Sequence, residues 1–445
     1  MMFSREDLIE GTGATVLKCT DIDEKSSFNI STDTRTIQKG DIYLPLKGET
    51  FDGEKFIDKA LEMGASGYFT TSDEVFDNAK LALKVPETKE AYLNLAKLYR
   101  NRINPITVAI TGSSGKTTTK EMVYSVLSSK FKTQKTFSNH NNEIGFCQTV
   151  LGMDSDTEAL IVEMGMRGLG EIELISTHLQ PDYAIITNSG SAHVGRLGSL
   201  DNIAIAKCEV TSGLKKNGTF IALNQDIIKK HVNFAGKKIY YSIEDVKILD
   251  SSKSYSKFEY KGEVYELNVE GEYNIENSLS AINLGLKIGM SPVEIAQGLK
   301  TYHPIEKRWE EELVGGFKFI NDSYNANPES MKASVKTFVD LYENPVVVLG
   351  NMGELGENEV EYHKQVGEFL AKQNKKAKYL TVGSLAKKIG EVLAEYGFDV
   401  KYFDKNEDVA CYILENLNNS NTIFLKASRS MKFEQILEEI KKRDI

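Results

Sequence analysis

Short apolar runs alternate with amphipathic stretches through the middle of the chain, and this alternation predicts strands and helices in turn. The apolar runs are rich in β-branched residues, which is typical of strands buried on both faces. They are ITVAI (106–110), ALIVE (159–163), YAIIT (183–187) and TFIAL (219–223). Helical stretches, beginning with KTTTKEMVYSVLSS, separate several of them. The pattern predicts a mainly parallel sheet covered by helices on both faces.

The chain before residue 105 combines short β-rich runs and tight turns with two helical stretches. In EKFIDKALEMGA the apolar residues recur near the helical period. They are Phe56, Ile57, Ala60, Leu61 and Met63. The second stretch, KEAYLNLAKLYRNRI, runs into Asn104-Pro105, where proline disfavours a helical residue before it. We therefore expect a first domain over residues 1–104.

A second boundary is expected near His303-Pro304, after a long amphipathic helix predicted over 274–289. Beyond it the alternation resumes with the predicted strands FKFIND, PVVVLG, KYLTVG, VKYF and TIFLKAS. The sequence thus predicts an α/β protein of three domains. These are a small N-terminal α/β domain (1–104), a central domain with a mainly parallel sheet (105–303) and a C-terminal α/β domain (304–445).

Composition narrows the functional class. The 445 residues suffice for two to four domains at about 100–200 residues each. Acidic residues outnumber basic ones by 64 to 54, and the net charge of −10 argues against binding to nucleic acids or anionic membranes. No apolar run approaches the roughly 18–20 residues that cross a bilayer. The start, MMFSREDLIE, does not have the basic and apolar regions of a secretory signal.

The four cysteines point to a reducing compartment. Cys19, Cys147, Cys208 and Cys411 lie far apart and form no C-x-x-C pair. This spacing favours reduced thiols over a disulfide framework or a cysteine zinc site. We therefore expect a cytoplasmic protein without membrane insertion.

The strongest local signal is ITVAI followed by TGSSGKTTTKEM, in which an apolar strand leads into a glycine-containing turn and a helix. Gly112 and Gly115 allow backbone N–H groups to converge on phosphate oxygens, assisted by the start of the helix. Lys116 would neutralise the terminal phosphates, and the Thr117 hydroxyl would bind Mg²⁺. The usual pattern has a further glycine where this chain has Ile110, so the sequence predicts a variant phosphate-binding loop.

Three other polar residues are weak candidates when taken alone. Glu163 ends a predicted strand, where open α/β sheets present ligand-binding groups, and a carboxylate suits Mg²⁺. His193 lies in a glycine- and serine-rich loop, and Lys207 lies in a helical stretch. Taken alone, each fits an ordinary structural or solvated role better than a functional one.

Together, these motifs occur in an order that closely resembles the Mur ligase superfamily. They are TGSSGKTTT, NHNNEIG (139–145), EMG with GE (163–171), NSGSAH with AKCE (188–209), GEYNIENSLSA (271–281) and INDSYNANP (320–328). Within the superfamily, the match is to the class that joins D-alanyl-D-alanine to UDP-N-acetylmuramoyl-tripeptide. The resemblance extends from STDTR to KASRSMKFEQIL. It implies an N-terminal UDP-substrate domain, a central P-loop ATPase domain and a Rossmann-like C-terminal domain.

The resemblance implies an ATP-dependent ligase that activates the tripeptide carboxylate as an acyl phosphate before the dipeptide amine attacks. It also implies two Mg²⁺ sites. One would be held by Thr117 and Glu163, and the other by His193 and a carbamylated Lys207. A carbamate converts an ammonium into an anionic oxygen ligand suited to a hard cation.

The remaining site residues are carried over from the family motifs. ATP would be bound by Gly112, Ser113, Ser114, Gly115, Lys116, Thr117, Thr118, Asn274, Asn277, Arg308 and Asp322. The UDP-muropeptide and the dipeptide would be bound by Thr34, Arg35, Lys47, Gly48, Asp52, Gly53, Asn139, Asn142, Tyr324, Asn325, Asn327, Ser428 and Arg429. These groups come from all three domains, so the site is expected to be complete only after domain closure. We expect a monomer.

Three alternatives remain open at this level. The related ligase that adds L-lysine or diaminopimelate shares the ATPase core, but INDSYNANPES stands where that class typically has a tyrosine–alanine–histidine sequence. Folylpolyglutamate and cyanophycin synthetases would not share the STDTR and GETFDG start. A regulatory ATPase without ligase chemistry is the third. The sequence does not distinguish lysine from diaminopimelate at the third position of the peptide.

Overall fold

The first sheet of the computed structural model is formed by short strands of the N-terminal residues. The structure describes residues 2–23, 25–48, 50–305, 307–373 and 375–443. The N-terminal elements are β1 (Phe3–Ser4), α1 (Arg5–Glu10), β2 (Thr15–Cys19), β3 (Ser27–Phe28), β4 (Ile30–Ser31), β5 (Ile42–Tyr43), α2 (Ile57–Glu62), β6 (Gly67–Thr70), β7 (Leu81–Lys84) and α3 (Thr88–Ile103). Five of the strands form a sheet in the order β2-β7-β6-β5-β4, in which only β2 is antiparallel to its neighbour.

The two predicted N-terminal helices differ in how closely they match the structure. α3 ends at Ile103, and the next residue, Asn104, takes a left-handed backbone conformation with φ of 51° before Pro105, as the Asn-Pro signal indicated. α2 is shorter than the apolar pattern predicts, because a 3₁₀ turn occupies Gly53–Phe56. A 3₁₀ turn has three residues per turn, so its side chains point in different directions from those of a continuous α-helix. Phe56 and Met63, which the pattern placed on the apolar face, are 36% and 52% exposed.

The central domain contains a six-stranded parallel sheet. Its elements are β8 (Ile106–Thr111), α4 (Lys116–Ser128), β9 (Thr133–Lys135), α5 (Glu143–Leu151), β10 (Ala159–Glu163), α6 (Glu171–Leu179), β11 (Tyr183–Ile186), α7 (Val194–Leu197), α8 (Leu200–Cys208), β12 (Thr219–Leu223), α9 (Asp226–His231), β13 (Lys237–Tyr241), β14 (Val246–Ser252), β15 (Tyr255–Tyr260), β16 (Glu263–Leu267), α10 (Glu272–Ile288) and α11 (Pro292–Lys300). The order is β13-β12-β11-β8-β10-β9, and every pair is parallel.

Strand β8 lies between β11 and β10 and is buried on both faces, as its continuous apolar run predicts. Val108 and Ile110 pack into a core shared with the C-terminal domain, whereas Ala109 packs into a core shared with the N-terminal domain. Alternate side chains point to opposite faces of a strand, so one strand supports both interfaces. Its carboxyl end therefore lies between the two interfaces, in the middle of the molecule.

A three-stranded antiparallel sheet, β14-β15-β16, was not anticipated from the sequence. Along β15 the residues are buried at alternate positions, which is the period-two pattern of a strand with one covered face. The segment YSKFEY contains that alternation, so the signal was present but was not used.

The C-terminal domain repeats the α/β alternation with one antiparallel edge strand. Its elements are β17 (Glu310–Val314), β18 (Phe317–Asn321), α12 (Pro328–Leu341), β19 (Pro345–Gly350), α13 (Glu359–Lys372), β20 (Lys378–Val382), α14 (Ala386–Glu395), β21 (Asp399–Phe403), α15 (Asn406–Asn416), β22 (Thr422–Lys426) and α16 (Glu434–Arg443). The order is β17-β18-β22-β19-β20-β21, with β17 antiparallel to β18. The predicted three-domain α/β architecture is confirmed.

The cysteines and the apolar content of the helices bear on two of the sequence-based expectations. The four cysteines are free thiols, two of them buried. In the described part of the chain, no helix has both the length and the apolar character that crossing a membrane requires.

Candidate active site

A cleft of about 1130 Å³ opens between the carboxyl ends of the central strands and the C-terminal domain. Loops after β8, β10 and β11 form one wall, and residues around the end of β18 and the start of α12 form the other. Sixteen of the predicted site residues line it. They are Ser113, Ser114, Gly115, Lys116, Thr117, Thr118, Asn139, Asn142, Glu163, His193, Asn277, Arg308, Asp322, Tyr324, Asn325 and Asn327.

The phosphate-binding loop connects β8 directly to α4. Gly115, the residue before the helix, has φ of 75°, and a Cβ there would collide with the Asn277 side-chain amide. Glycine therefore meets both a conformational and a steric requirement at this position. The helix starts at Lys116, so its unpaired N–H groups and positive dipole end face the cleft. This is the arrangement expected of an anion-binding loop.

The side chain of Lys116 folds back over the loop and contacts the loop backbone. Its Nζ donates to the Gly112 carbonyl oxygen over 2.8 Å. Burial lowers the pKa of Lys116, and the negative charge of Glu163 opposes that shift. An ammonium in this position is poorly solvated, so it would gain strongly from a phosphate oxygen placed beside it.

Thr117 and Glu163 are brought together by the sheet register. Glu163 ends β10 next to Ile110 of β8, and the Thr117 hydroxyl donates to Glu163 Oε2 over 3.0 Å. Two groups that the sequence did not single out complete the contacts of this carboxylate. Asn141 Nδ2 donates to Oε1 over 3.0 Å, and Lys120 Nζ lies 3.6 Å from Oε2. Both lie inside motifs already identified, Asn141 in NHNNEIG and Lys120 in TGSSGKTTTKEM, but nothing in the sequence was a reason to assign either a role.

The donor set fits a magnesium ion that is shared with a bound phosphate. A hydroxyl and a carboxylate lie side by side, and both are hard oxygen ligands. Among the described residues, no group of three or more His, Cys, Asp or Glu side chains could hold a metal ion. Mg²⁺ usually keeps several waters and binds through one or two carboxylates together with substrate phosphates. Thr117 and Glu163 are thus sufficient as the protein's contribution.

Lys207 lies near the end of α8, fully buried, and does not line the cleft. Within the described part of the chain, its Nζ has no hydrogen-bond partner. Burial, followed by the positive charge of Lys116, places the pKa of Lys207 well below its ordinary value. Burying an amine without a hydrogen bond costs free energy, and a covalent modification or a bound ligand at Nζ would reduce that cost.

His193 contacts the C-terminal domain. Its Nδ1 lies 2.5 Å from Glu354 Oε2, and Arg196 Nη2 lies 2.9 Å from Glu354 Oε1. The adjacent His193 side chain is the largest cause of the lowered pKa of Glu354, although among the described residues its Nδ1–H is not directed at a hydrogen-bond acceptor. Sequence reasoning missed Glu354. The feature that could have indicated it is its place as an acidic residue in the glycine-containing turn after β19.

Two positively charged groups of the C-terminal domain line the cleft. The Arg308 guanidinium lies 3.8 Å from the centroid of the Tyr324 ring, a cation–π contact, and its buried Nε has no hydrogen-bond partner among the residues that the structure describes. Lys426 Nζ donates to Asp322 Oδ2 over 2.7 Å. The charge of Arg308 is therefore available to bind an anion, whereas the charge of Lys426 is already compensated by Asp322.

The asparagines of the predicted motifs divide into different roles. Asn277 lines the cleft, whereas Asn274 is turned away and donates to the Glu270 carbonyl oxygen over 2.7 Å. Asn142 and Asn327 lie at the cleft edge and cap the helices that follow them. Asn327 Nδ2 also reaches the Ser113 carbonyl oxygen at 3.4 Å, which connects the C-terminal domain to the phosphate-binding loop.

The predicted UDP-binding residues form a separate group in the N-terminal domain. Arg35 Nη2 lies 2.6 Å from Asp33 Oδ2. Both side chains are exposed to solvent, so this ion pair is weak and Arg35 could exchange Asp33 for an anionic ligand. Lys47 and Asp52 form an isolated antiparallel bridge that closes the turn. The predicted residues that do not line the cleft are Thr34, Arg35, Lys47, Gly48, Asp52, Gly53, Gly112, Lys207, Asn274, Ser428 and Arg429.

Comparisons with known proteins cover almost the whole chain. Residues 28–102 match the Mur ligase family catalytic domain, residues 110–285 the Mur ligase middle domain, and residues 307–429 the Mur ligase glutamate ligase domain. The UDP-N-acetylmuramoyl-tripeptide–D-alanyl-D-alanine ligase of Bacillus subtilis is 35% identical over 428 residues, or 92% of each chain. That of Haemophilus influenzae is 30% identical over 436 residues, or 93% of each chain.

The fold agrees with a solved structure over the same extent. A crystal structure of MurF from Acinetobacter baumannii superposes with a TM-score of 0.89 and 26% sequence identity, covering 99% of each chain. The likeness therefore includes the relative placement of the three domains as well as their individual folds.

Proposed function

Because the chain belongs to the Mur ligase family, we propose that its cleft joins D-alanyl-D-alanine to UDP-N-acetylmuramoyl-tripeptide at the expense of ATP. The observation that carries this conclusion is the full-length similarity to ligases of that name. The pentapeptide product would serve peptidoglycan precursor synthesis. The cleft supplies the groups that such a reaction needs, and they come from the central and C-terminal domains together.

The chemical difficulty is that a carboxylate is a poor electrophile, since its charge repels nucleophiles and oxide is a poor leaving group. Transfer of the ATP γ-phosphoryl group to the tripeptide carboxylate gives an acyl phosphate and ADP. The dipeptide amine then attacks the carbonyl carbon, and the tetrahedral intermediate expels phosphate to leave the amide. Phosphoryl transfer depends mainly on positioning and charge neutralisation, so those are the tasks of the protein.

The chain would neutralise the phosphates from two sides. Lys116 and the N–H groups at the start of α4 lie on the central domain, and Arg308 lies on the C-terminal domain. Both cations are partly desolvated, which strengthens their attraction to the charge that develops during transfer. Asp322, paired with Lys426, and Asn277 would bind the ribose and adenine of the nucleotide.

We propose that Mg²⁺ is held by Thr117 and Glu163, with a second ion held by His193 and a modified Lys207. When bound, the metal neutralises phosphate charge and polarises the transferring phosphoryl group. The Nζ of Lys207 supports the second part: it has no hydrogen-bond partner in the part of the chain that the structure describes, and a carbamate on that nitrogen would supply anionic oxygens there. Asn141 and Lys120 would keep the Glu163 carboxylate in place.

The muropeptide would extend from the N-terminal domain into the cleft. We propose that Thr34, Arg35, Lys47, Gly48, Asp52 and Gly53 bind its UDP end. Asn139 and Asn142 line the entrance from that side. Tyr324 and Asn325 would place the reacting peptide end or the dipeptide, with Ser428 and Arg429 nearby on the C-terminal domain. The domain boundaries 104/105 and 303/304, a monomeric state and a cytoplasmic location are parts of the same proposal.

The ligase that adds L-lysine or diaminopimelate is the alternative, and the comparisons favour the D-alanyl-D-alanine reaction. Relatives named for that reaction match at 30–36% identity. A structure of the diaminopimelate-adding ligase shares 13% of its sequence and has a TM-score of 0.55.

Phosphate release from ATP tests the proposal directly. We expect release only when the UDP-tripeptide and D-alanyl-D-alanine are both present, with the pentapeptide formed in equal amount. Lys116→Ala should lower kcat by about 1000-fold, whereas Lys59→Ala, at an exposed position of α2, should not change it. Release without either substrate would instead support a free-standing ATPase. Unchanged ligation by Lys116→Ala would overturn the assignment of the cleft.

A further inference from the structure

Glu354 of the C-terminal domain contacts His193 of the central domain, and we propose that it is a positioning residue for that histidine. Its carboxylate would hold the proton on Nδ1 and leave Nε2 as the nitrogen available to a ligand in the cleft. The inference rests on the proposed function only in that His193 acts in the reaction. The contact itself joins two domains, so it would be made only when they are together.

The segments carrying the two residues are held by three contacts. His193 Nδ1 lies 2.5 Å from Glu354 Oε2, and Arg196 Nη2 lies 2.9 Å from Oε1 of the same carboxylate. The Gly195 N–H donates to the Glu354 backbone carbonyl oxygen over 3.0 Å. Gly195 packs so closely on Gly356 that a Cβ at position 195 would collide with the Gly356 backbone. The match between the segments therefore includes backbone shape.

Both residues also adopt an unusual backbone conformation. His193 has φ of 69° and Glu354 has φ of 62°, in the left-handed region that non-glycine residues seldom occupy. Such conformations persist only where the surroundings impose them, and they cluster at functional sites. Here each residue of the pair bears that cost, and the contact between them is one of the interactions that can offset it.

The carboxylate has a clear chemical use. A neutral imidazole carries its proton on either nitrogen, and the hydrogen bond made by one nitrogen determines what the other can do. Carboxylates behind metal-binding or catalytic histidines fix both the tautomer and the ring orientation. Glu354 and His193 both line the cleft with Oε2 2.5 Å from Nδ1, and a rotation of the imidazole that directs its N–H at this oxygen gives Glu354 that role from the C-terminal domain.

The first test compares three variants of the full chain. Glu354→Ala should lower kcat for ligation by about 10–100-fold, the usual effect of removing a carboxylate behind a functional histidine. The KM for ATP should change much less, because Glu354 is not assigned to nucleotide binding. Glu354→Gln, whose side-chain carbonyl oxygen can still accept a hydrogen bond from Nδ1–H, should retain more activity than Glu354→Ala. Glu357→Gln removes the same charge from an exposed position on the same loop and should match the unmodified protein.

The second test does not depend on activity. NMR of ¹⁵N-histidine-labelled protein at alkaline pH distinguishes the two tautomers, and His193→Asn identifies the signal among the six histidines. We expect the Nδ1–H form in the unmodified protein and a shift toward the Nε2–H form in Glu354→Ala. Gly195→Ala should cause the same shift with Glu354 intact, because its methyl group separates the two segments.

The outcomes separate this inference from the proposed function. An unchanged His193 tautomer in Glu354→Ala, or equal losses of kcat in Glu354→Ala and Glu357→Gln, would overturn the positioning role while ligase activity stands. A tautomer shift in Glu354→Ala would support the role even if the reaction proved to be a different ATP-dependent ligation.

Discussion

The side-chain amide of Asn141 donates to Glu163 Oε1 over 3.0 Å, while the opposite carboxylate oxygen accepts from Thr117. Asn141 also accepts the Gly165 N–H through its backbone carbonyl, over 2.8 Å. These two hydrogen bonds therefore fix the loop that follows β9 against the carboxyl end of β10, where Glu163 lies. This connects the predicted muropeptide-binding loop to the predicted magnesium ligand.

That connection predicts the effect of Asn141→Asp. A second carboxylate beside Glu163 would replace a donor by a like charge, so kcat should fall by about 100-fold or more. Asn141→Ala, which removes the donor without adding charge, should have a smaller effect. Both are measured by steady-state ligation over a range of Mg²⁺ concentrations. Asn233→Asp, the same change at an exposed position, serves as the control. Equal activities of the three variants would show that Asn141 does not support Glu163.

Glu276 should make stability depend on pH. Burial, assisted by the charge of Glu272, raises the pKa of Glu276 to about 7 from its ordinary 4.5. The folded protein thus favours the protonated form, whose stabilising contribution is complete below about pH 4.5 and is lost as pH rises through about 7. Glu276→Gln should remove this loss, worth about 2–3 kcal/mol between pH 5 and pH 8.

Urea unfolding at pH 5 and pH 8 measures that difference. The free energy of unfolding should decrease with pH more in the unmodified protein than in Glu276→Gln. Glu272→Gln removes the neighbouring charge but leaves the buried carboxyl, so it should reduce the effect only in part. Parallel pH profiles for the unmodified protein and Glu276→Gln would contradict the prediction.

Lys207 should carry a carbamate in the active protein. With ¹³C-bicarbonate present, a carbamate carbon signal should be visible by NMR and should be missing in Lys207→Met. Ligation should fall by about 100-fold or more in Lys207→Ala and recover in part when a short carboxylic acid fills the vacated space. Lys229→Met, on an exposed helix, is the matched control. An unmodified Lys207 in fully active protein, shown by native intact mass, would count against the carbamate.

The Asp322–Lys426 pair should be important for stability as well as for nucleotide binding. The two side chains are only 14% and 5% exposed, so Asp322→Ala leaves a buried ammonium and should cost about 3 kcal/mol. The apolar double variant Asp322→Leu/Lys426→Met should restore most of that stability but not the affinity for ADP. Chemical unfolding and calorimetric titration measure the two effects separately.

The exposed pair Lys318–Glu311 provides the comparison, since its N–O separation of 2.8 Å is similar. Glu311→Ala should cost at most about 1 kcal/mol, because solvent screens that pair. If Asp322→Ala and Glu311→Ala destabilise equally, burial of the Asp322 pair has no energetic consequence. If the double variant binds ADP normally, Asp322 is not a nucleotide contact.

The sequence by itself determined most strands of the two large sheets, the helix that stops before Asn104-Pro105, and the phosphate-binding loop, whereas the edge strands β9, β13 and β17 were not predicted. These are local properties: a continuous apolar run, an Asn-Pro stop and a glycine turn before a lysine each act within a few residues. Motif order also identified the family, because it compares linear patterns. The antiparallel sheet over 246–267 was missed although its period-two alternation is present.

Only the tertiary structure decided which polar groups meet. Asn141, Lys120 and Glu354 contact predicted site residues from 22, 43 and 161 positions away in the chain. It also showed that Asn274 turns away from the cleft and that buried Lys207 has no hydrogen-bond partner among the residues described. Such contacts depend on strand register and on how domains pack, and neither leaves a pattern in neighbouring residues because the groups involved are distant along the chain.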